Sequence, residues 1–242
     1  MLTELQDGYG REVYAHQHGE RGFEVVERDD GYVDLSGGPA PYFAPFEEWP
    51  LRQQRAVEFV AGRVLDVGAG AGRVALYLQE KGHDVLAIDN SPLAVETCKV
   101  RGVRNAVVLP ITQVSSKLGT FDTIVMMGNN FGLFGGFKRA RWLLRRFHAM
   151  TTPNARIIAE SNDPYQTSNP DHLAYQEMNR KRGRMSGQLR LRVRYWRYAT
   201  PWFDYLLVSR DEMREILAGT GWHASRFIDD GGSGYVAVIE KE

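Results

Sequence analysis

The chain has 242 residues, of which 43% are hydrophobic and 25% charged, and its formal net charge at pH 7 is zero. These values are ordinary for a soluble globular protein with a packed core, and they exclude a mostly disordered or fibrous chain. No apolar run approaches the roughly 18 to 20 residues that cross a bilayer, and the first residues do not resemble a secretory signal. A single cysteine, Cys98, rules out an internal disulfide and a cysteine-based metal site, so we expect a cytoplasmic protein.

The charge is unevenly distributed along the chain. Residues 1–61 contain twelve acids and five bases, whereas residues 138–197 contain fourteen bases and four acids. Two interpretations are open, because the segments can neutralise each other in the fold or the basic one can attract an anionic ligand. We favour the first, since runs of charge most often form solvated faces.

Residues 1–50 are rich in glycine, acids and aromatic residues and carry turn signals, and their organisation is the least readable part of the sequence. We treat them as an N-terminal cap segment. Residues 51–61 predict a short helix that leads into the core.

From residue 63 onwards, strands and helices alternate. The predicted strands are Val64–Val67, Asp84–Ile88, Ala106–Leu109, Phe121–Met127 and Ala155–Glu160, and the predicted helices are Arg73–Lys81, Pro92 to just before Gly102, and 137–150. Ser91 is a typical helix cap, and a proline in the first turn of a helix loses no hydrogen bond. Apolar strands that alternate with helices indicate a parallel sheet covered on both faces.

The C-terminal part follows a different pattern. Ser209 and Glu212 form a capping box for a helix that runs to about Ala218. The apolar stretches Trp222–Ile228 and Tyr235–Ile239 then flank a glycine-rich turn, which predicts an antiparallel pair that closes the sheet.

Residues 161–208 lie between these core elements and form a predicted insertion. Within it, 189–198 alternates apolar and basic residues, which is typical of a half-buried strand, and 202–208 is its predicted partner. We therefore expect a β-rich insertion that acts as a lid or as a wall of a substrate site.

The segment Val64–Arg73, VLDVGAGAGR, carries the most specific chemistry. Glycines between a strand and a helix let a ligand approach the backbone with no side chain in the way. Dinucleotide sites use a similar loop, but their third glycine would stand where this chain has Arg73. Asp66, two residues before the first glycine, suits an ammonium group and would repel a pyrophosphate.

Asp89 ends the second of these strands, roughly 20 residues after the glycine loop, where an acid is placed to bind both hydroxyls of a ribose. Structural roles are the alternatives for both acids: Asp66 as a turn-stabilising carboxylate and Asp89 as a helix cap beside Ser91. The two acids together with the loop favour a nucleoside site.

On these residues, the sequence resembles the class I S-adenosylmethionine-dependent methyltransferases, over roughly residues 55–240 and most specifically at 64–73. The resemblance implies an α/β fold with a Rossmann-like, doubly wound, mostly parallel seven-stranded sheet whose last strand is antiparallel. It makes residues 51–242 the methyltransferase domain, with the lid-like insertion 161–208 and the cap 1–50 added to it. The implied cofactor is S-adenosyl-L-methionine, with S-adenosyl-L-homocysteine as its product.

The resemblance also implies cofactor contacts around the loop. Asp66 would help to hold the methionine amine, and Asp89 would bind the ribose hydroxyls. The residues expected to pack against the methionine and ribose are Gly68, Ala69, Gly70 and Gly72, and those expected to flank the adenine are Asn90 and Leu93.

Two further contacts follow from the family's later motifs. The backbone N–H of Ile111 would serve the adenine ring, in a stretch that lacks the acid often found there. Gly128 and Asn129, which follow the fourth strand, would border the methionine and the methyl group. No catalytic group is identified, because methyl transfer from a sulfonium depends chiefly on alignment.

The expected activity is methyl transfer to N, O or C of a small-molecule acceptor. The alternative is an RNA methyltransferase, or an RNA-binding cofactor module, that uses the basic segment 180–197 with Tyr195, Trp196 and Tyr198 as stacking groups. A nicotinamide-dependent oxidoreductase is a third hypothesis.

Other patterns are less specific. Asn162–Tyr165 (NDPY) partly matches a motif of nucleic-acid amino-methyltransferases, but a turn after a strand is the simpler interpretation. His16 and His18 suggest a metal, yet no further ligands accompany them, and we expect no metal site. Aromatic residues in the cap and the insertion either wall an apolar pocket or attach these segments to the sheet.

Overall fold

The computed structural model describes residues 2–20, 22–35 and 37–242. Its strands, in chain order, are β1 (Val25–Arg28), β2 (Val33–Leu35), β3 (Val64–Val67), β4 (Val85–Asp89), β5 (Ala106–Val108), β6 (Phe121–Met126), β7 (Thr151–Asn162), β8 (Gln188–Tyr195), β9 (Tyr198–Ala199), β10 (Phe203–Leu206), β11 (Trp222–Asp229) and β12 (Gly234–Lys241). Its α-helices are α1 (Gly8–Gln17), α2 (Leu51–Ala56), α3 (Arg73–Glu80), α4 (Pro92–Val100), α5 (Phe137–Ala149), α6 (Pro170–Lys181) and α7 (Arg210–Leu217).

The larger sheet has seven strands in the order β11-β12-β7-β6-β3-β4-β5. The pairs β3–β4, β4–β5 and β6–β7 are parallel, and β12 runs antiparallel to both β7 and β11. The predicted α/β fold, a mostly parallel seven-stranded sheet with an antiparallel last strand, is therefore confirmed.

The smaller sheet has the order β10-β8-β1-β2, and β9 also pairs with β8. The predicted pairing of 202–208 with the alternating strand is thus confirmed. The sequence did not predict that this strand also pairs with β1 from the N-terminal segment, where Val26 lies opposite Val193.

The insertion 161–208 contains the expected β-rich region in β8, β9 and β10, and its first half adds the twelve-residue helix α6, which the sequence analysis did not predict. Asn169 caps this helix, since its side-chain oxygen accepts a hydrogen bond of 2.9 Å from the backbone N–H of Asp171. Pro170 occupies the first helical position, where a missing N–H has no cost.

Several predicted boundaries also differ from those observed. The predicted helix 51–61 is the shorter α2, followed by a 3₁₀ turn at Val57–Phe59. The strand predicted at Ala155–Glu160 extends over Thr151–Asn162. Pairing with β12 explains its C-terminal extension, because Asn162 lies opposite Gly234.

The chain divides into two compact units. The first comprises Met1–Trp49, Val64–Gln113 and Arg190–Phe203, and the second comprises Pro50–Arg63, Val114–Leu189 and Asp204–Glu242. Each has its own buried apolar residues, such as Leu65, Ala75 and Val95 in the first and Ile124, Phe147 and Ile157 in the second. The division into a cap of residues 1–50 and a domain of residues 51–242 stays a prediction.

Aromatic residues attach the N-terminal segment to α3 within the first unit. The ring of Phe46 stacks on Tyr77 with centroids 4.2 Å apart, and Trp49 packs on the same ring at 5.4 Å. For these residues, the structure supports the attaching role over the pocket wall.

Among the described residues, no helix combines the length and the apolar character that crossing a bilayer requires.

Candidate functional site

The loop between β3 and α3 has the bare, left-handed backbone that the glycine pattern predicts. Gly70 and Gly72 adopt φ values of 57° and 78°, which L side chains rarely tolerate. A Cβ at Gly72 would meet Cγ2 of Val103 at 2.8 Å, so this glycine permits close packing at the start of α3. Arg73, in place of a third glycine, lies over the ring of Trp49 at 4.5 Å.

Asp89 joins this loop to the start of α4. Its Oδ2 accepts a hydrogen bond of 3.0 Å from the backbone N–H of Gly70, and its Oδ1 accepts one of 2.9 Å from that of Ser91. Burial raises the pKa of the Asp89 carboxyl, and these two hydrogen bonds oppose the shift. Each oxygen keeps further acceptor capacity, which suits a ligand with two neighbouring hydroxyls.

Asp66 occupies β3 below the same loop and is 2% exposed. Its Oδ2 is buried without a hydrogen-bond partner among the described residues. Burial, followed by the nearby charge of Asp89, raises the pKa of the Asp66 carboxyl to about 7. A buried, unpartnered carboxylate oxygen costs free energy unless a ligand satisfies it, and a cationic group does so best.

The other predicted contacts of this unit follow the ends of the parallel strands. The backbone N–H groups of Gly68 and Ala69 donate to the carbonyl of Ile88 at 2.9 and 3.1 Å, which fixes the start of the loop against β4. Three further residues are exposed or half-buried at these ends: Asn90 after β4, Leu93 in the first turn of α4, and Ile111 after β5.

The N-terminal helix α1 lies against this site, which the sequence did not predict. Asp7 caps α1 by accepting from the backbone N–H of Gly10 at 3.1 Å, and its other oxygen accepts from that of Leu93 at 3.0 Å. The Tyr9 hydroxyl lies 2.4 Å from where a Cβ on Gly70 would be. The N-terminal segment therefore borders the glycine loop. The sequence does show an aspartate, Asp7, just before the start of a helix, which is typical of a cap. It does not show that the second oxygen of Asp7 binds the distant backbone N–H of Leu93.

In the second unit, the predicted residues Gly128 and Asn129 follow β6 and are held by Glu160 on β7. The Oε2 of Glu160 accepts from the backbone N–H groups of Gly128 at 2.7 Å and Asn129 at 3.2 Å, and from Nε2 of Gln53 at 2.7 Å. Nε of Arg52 donates to Oε1 at 2.8 Å. Sequence reasoning missed Glu160 as a functional residue, although an acid in an apolar strand was the available signal.

Asn129 is itself unusual. It is one of two described non-glycine residues with a left-handed backbone, at φ 68°. Its carbonyl accepts a hydrogen bond of 2.6 Å from the Tyr205 hydroxyl, whereas its own Oδ1 is buried with no partner among the described residues. Such a conformation persists where the surroundings impose it, and it is often found at functional sites.

The histidines considered as metal ligands pack against aromatic rings instead. The His16 ring lies 4.6 Å from that of Phe43, and the His18 ring stacks on Tyr14 at 4.2 Å. In the described part of the chain, no group of three or more His, Cys, Asp or Glu side chains is arranged to hold a metal ion.

The segment Asn162–Tyr165 forms a turn, as its simpler interpretation predicts. The backbone N–H of Tyr165 donates to Oδ1 of Asp163 at 3.0 Å, and that of Gln166 donates to the carbonyl of Asp163 at 3.3 Å. Both contacts are local and stabilise the chain reversal after β7.

The arginines of β8 are partly neutralised by the acidic N-terminal segment. Glu27 on β1 accepts from Nε of Arg192 through one oxygen and from Nε of Arg194 through the other, at 2.5 and 2.6 Å. Desolvation raises the pKa of the Glu27 carboxyl, but the hydrogen bonds from the two arginines outweigh it, and the pKa lies below its usual value. The prediction that the two charged segments neutralise each other is confirmed for these residues.

A family model described as a methyltransferase domain matches residues 64–154. One curated relative, the 2-heptyl-1-hydroxyquinolin-4(1H)-one methyltransferase of Mycobacteroides abscessus, is 38% identical over 72 residues. That match covers 27% of this chain and 32% of the relative, so the chain spans about a third of that protein's length.

Solved structures match over more of the chain. One is a SAM-dependent methyltransferase from Bacteroides fragilis in complex with S-adenosyl-L-homocysteine, which is 27% identical and has a TM-score of 0.84. The match covers 100% of this chain and 97% of that protein's chain. The CcbJ methyltransferase from Streptomyces caelestis is 14% identical with a TM-score of 0.61, covering 83% of this chain and 98% of its own. The second likeness concerns the fold alone.

Proposed function

Because the chain belongs to the class I S-adenosylmethionine-dependent methyltransferases, we propose that it transfers a methyl group to N, O or C of a small-molecule acceptor. The observation that carries this proposal is the whole-chain likeness to a methyltransferase crystallised with S-adenosyl-L-homocysteine. The site geometry supports it, because Asp66 and Asp89 flank a bare glycine loop and suit an ammonium group and a ribose.

The two acids fit the cofactor through different features. Asp66 supplies a buried oxygen without a partner, which would hold the ammonium of the methionine part directly or through water. Asp89 is fixed by two backbone N–H groups, and its remaining lone pairs would accept from the ribose hydroxyls. The loop residues Gly68, Ala69, Gly70 and Gly72 would pack against the methionine and ribose.

The remaining assignments stay part of the proposal. Asn90 and Leu93 would flank the adenine, and the backbone N–H of Ile111 would donate to it. Gly128 and Asn129 would border the methionine and the methyl group. The hydrogen bonds from these two residues to Glu160 support a fixed backbone at that position.

The cofactor, when bound, supplies an electrophilic methyl group on a sulfonium. The protein's residues have to align that group with the acceptor and exclude water, since alignment accounts for much of the rate of such a displacement. A rigid loop held by Asp89 is suited to this task, because it keeps the bound nucleoside in one orientation.

Two observations favour a small acceptor over RNA. The curated relative is named for a small hydroxyquinolone, although the match covers only part of it. In addition, Glu27 already pairs with Arg192 and Arg194, which reduces the charge that the basic segment offers to phosphates. The free, buried thiol of Cys98 is consistent with the cytoplasmic location that we include in this proposal.

Isothermal titration with S-adenosylmethionine, S-adenosylhomocysteine and NAD tests the proposal. We expect saturable binding of the first two ligands and none of NAD. Tight, salt-sensitive binding of RNA without methyl transfer to small acceptors would support the alternative module, and preference for NAD would overturn the assignment.

A further inference from the structure

A buried acid on α1 has no role in the cofactor site described above. Glu12 is 1% exposed, and among the described residues no cation pairs with its carboxylate, since the polar group beside it is another acid, Glu24. Burying an ionised carboxylate without a counter-ion is costly, so a cationic group placed beside Glu12 would stabilise its charged form.

Glu12 has a second acid as its neighbour. Burial first, and then the adjacent charge of Glu24, raises the pKa of the Glu12 carboxyl to about 8. Glu24 is itself 6% exposed. The cation next to Glu12 in the chain, Arg11, is directed elsewhere, because its guanidinium lies over the rings of Tyr14 and Tyr198 at 5.8 and 5.6 Å.

The position of Glu12 on α1 relates it to the glycine loop. It follows Tyr9 by three residues, so the two side chains leave the helix on one face. Tyr9 reaches Gly70 with its hydroxyl, and the charges of both Asp89 and Glu24 act on it. The aromatic ring of Tyr42 packs edge-on against Tyr9 at 5.4 Å. A buried acid on the same helix face as one ring of an aromatic pair is a favourable environment for an organic cation.

We propose that Glu12, with Glu24 beside it, binds the methyl acceptor, and that this acceptor carries a basic amine. The inference rests on the proposed function and adds the substrate class. In its ionised form, Glu12 holds the substrate ammonium and then takes one of its protons. The nitrogen lone pair forms the N–CH₃ bond, the S–CH₃ bond breaks with its electron pair left on sulfur, and the products are an N-methylammonium and S-adenosylhomocysteine.

The test uses the full chain saturated with S-adenosylhomocysteine. The probes are phenethylamine and tyramine, each paired with the alcohol of the same carbon skeleton, 2-phenylethanol and tyrosol. Titration calorimetry at pH 7 in two buffers of different ionisation enthalpy gives both the affinity and the number of protons exchanged. Glu12→Gln is the variant, and Glu20→Gln, an exposed acid just after α1, is the matched control.

We expect the amines to bind and the alcohols not to bind. Amine binding should release about one proton, because Glu12 is mostly protonated at pH 7 when free and a bound cation ionises it. Glu12→Gln should weaken amine binding about tenfold or more and abolish the proton release, whereas Glu20→Gln should change neither. With radiolabelled S-adenosylmethionine, methyl transfer should be confined to the amines.

Measuring the affinity of Glu12→Gln for S-adenosylmethionine and for S-adenosylhomocysteine separates a failure of this inference from a failure of the proposed function. If wild type binds the cofactor but binds neither amine, or binds alcohols as well as amines, the amine site is wrong and the methyltransferase assignment stands. If Glu12→Gln weakens S-adenosylmethionine and leaves S-adenosylhomocysteine unchanged, Glu12 serves the sulfonium and the acceptor role is overturned. Circular dichroism checks that the variant folds.

Discussion

The carboxylate of Asp89 accepts a hydrogen bond of 3.0 Å from the backbone N–H of Gly70, nineteen residues earlier in the chain. This contact ties the end of β4 to the glycine loop after β3, and the second oxygen of Asp89 holds the chain at Ser91. One side chain therefore fixes the two backbone segments on which a nucleoside would lie.

Asp89→Ala should weaken binding of S-adenosylmethionine and of S-adenosylhomocysteine alike. The loss should be about 1–3 kcal/mol, because a charged hydrogen bond to the ribose disappears and the loop loses its anchor. Titration calorimetry measures it. Asp84→Ala is the control, since Asp84 is exposed just before the same strand, and equal affinities for the two variants would refute the ribose assignment.

The stability of the cofactor-free protein should depend on Asp66. Burial raises the pKa of its carboxyl to about 7, so the folded state takes up a proton that the unfolded state releases. The stability that this proton contributes is fully present below the ordinary pKa of aspartate and is lost as the pH rises towards 7. The free energy of unfolding of Asp66→Asn, relative to that of wild type, should therefore rise by about 2–4 kcal/mol as the pH goes from 3.5 to 8.

Urea unfolding across that pH range, without cofactor, measures the difference. The same variant should bind S-adenosylmethionine more weakly than wild type, because an amide cannot neutralise an ammonium. Asp84→Asn is expected to show neither effect. A variant whose relative stability is flat with pH would mean that Asp66 is ionised in the folded protein throughout.

Glu160 should matter far more for stability than Glu240, a half-exposed acid of the neighbouring strand. It is 2% exposed and satisfies Arg52, Gln53 and two backbone N–H groups. Glu160→Ala removes the buried acceptor that these donors share, and Arg52 keeps only its pair with Asp230 at 2.9 Å among the ion pairs of the described residues, so we expect a cost of about 3–5 kcal/mol. Glu240→Ala removes a half-exposed pair with Arg156 and should cost no more than about 1 kcal/mol.

Chemical denaturation of both variants at pH 7 gives the comparison. Similar small losses for the two would show that the Glu160 hydrogen bonds do not hold the backbone after β6. Methyl transfer should also fall in a folded Glu160→Gln variant, because Gly128 and Asn129 lose a charged acceptor.

How much the sequence could predict depended on how local each signal was. The strand ends that carry Asp66 and Asp89 were found because strand, glycine loop and helix follow one another directly. Helix α6 was not predicted, although Asn169 and Pro170 form a typical helix start. The alternating pattern in the second half of the insertion predicted strands, and that prediction was extended to the whole segment.

The contacts that were missed are long-range. Asp7 reaches the backbone N–H of Leu93 across 86 positions, and Glu160 reaches that of Gly128 across 32. A single sequence shows an acid at each position but not its partner. Burial of Glu12 is equally hidden, because a charged residue on a short helix is usually exposed.

The close approach of Tyr9 to Gly70 can be measured by a double-mutant cycle. Gly70→Ala should destabilise the protein by about 1–3 kcal/mol, since alanine is strained at a φ of 57° and its Cβ would overlap the Tyr9 hydroxyl. Tyr9→Phe removes that oxygen, and the next ring atom lies 3.6 Å away, an ordinary contact distance. In the double variant, the part of the destabilisation that comes from the overlap with the Tyr9 hydroxyl should therefore disappear, and only the part that comes from backbone strain at residue 70 should remain. Urea unfolding of all four proteins gives the coupling energy, expected at about 1 kcal/mol. Strict additivity would show that α1 does not rest on the glycine loop in solution.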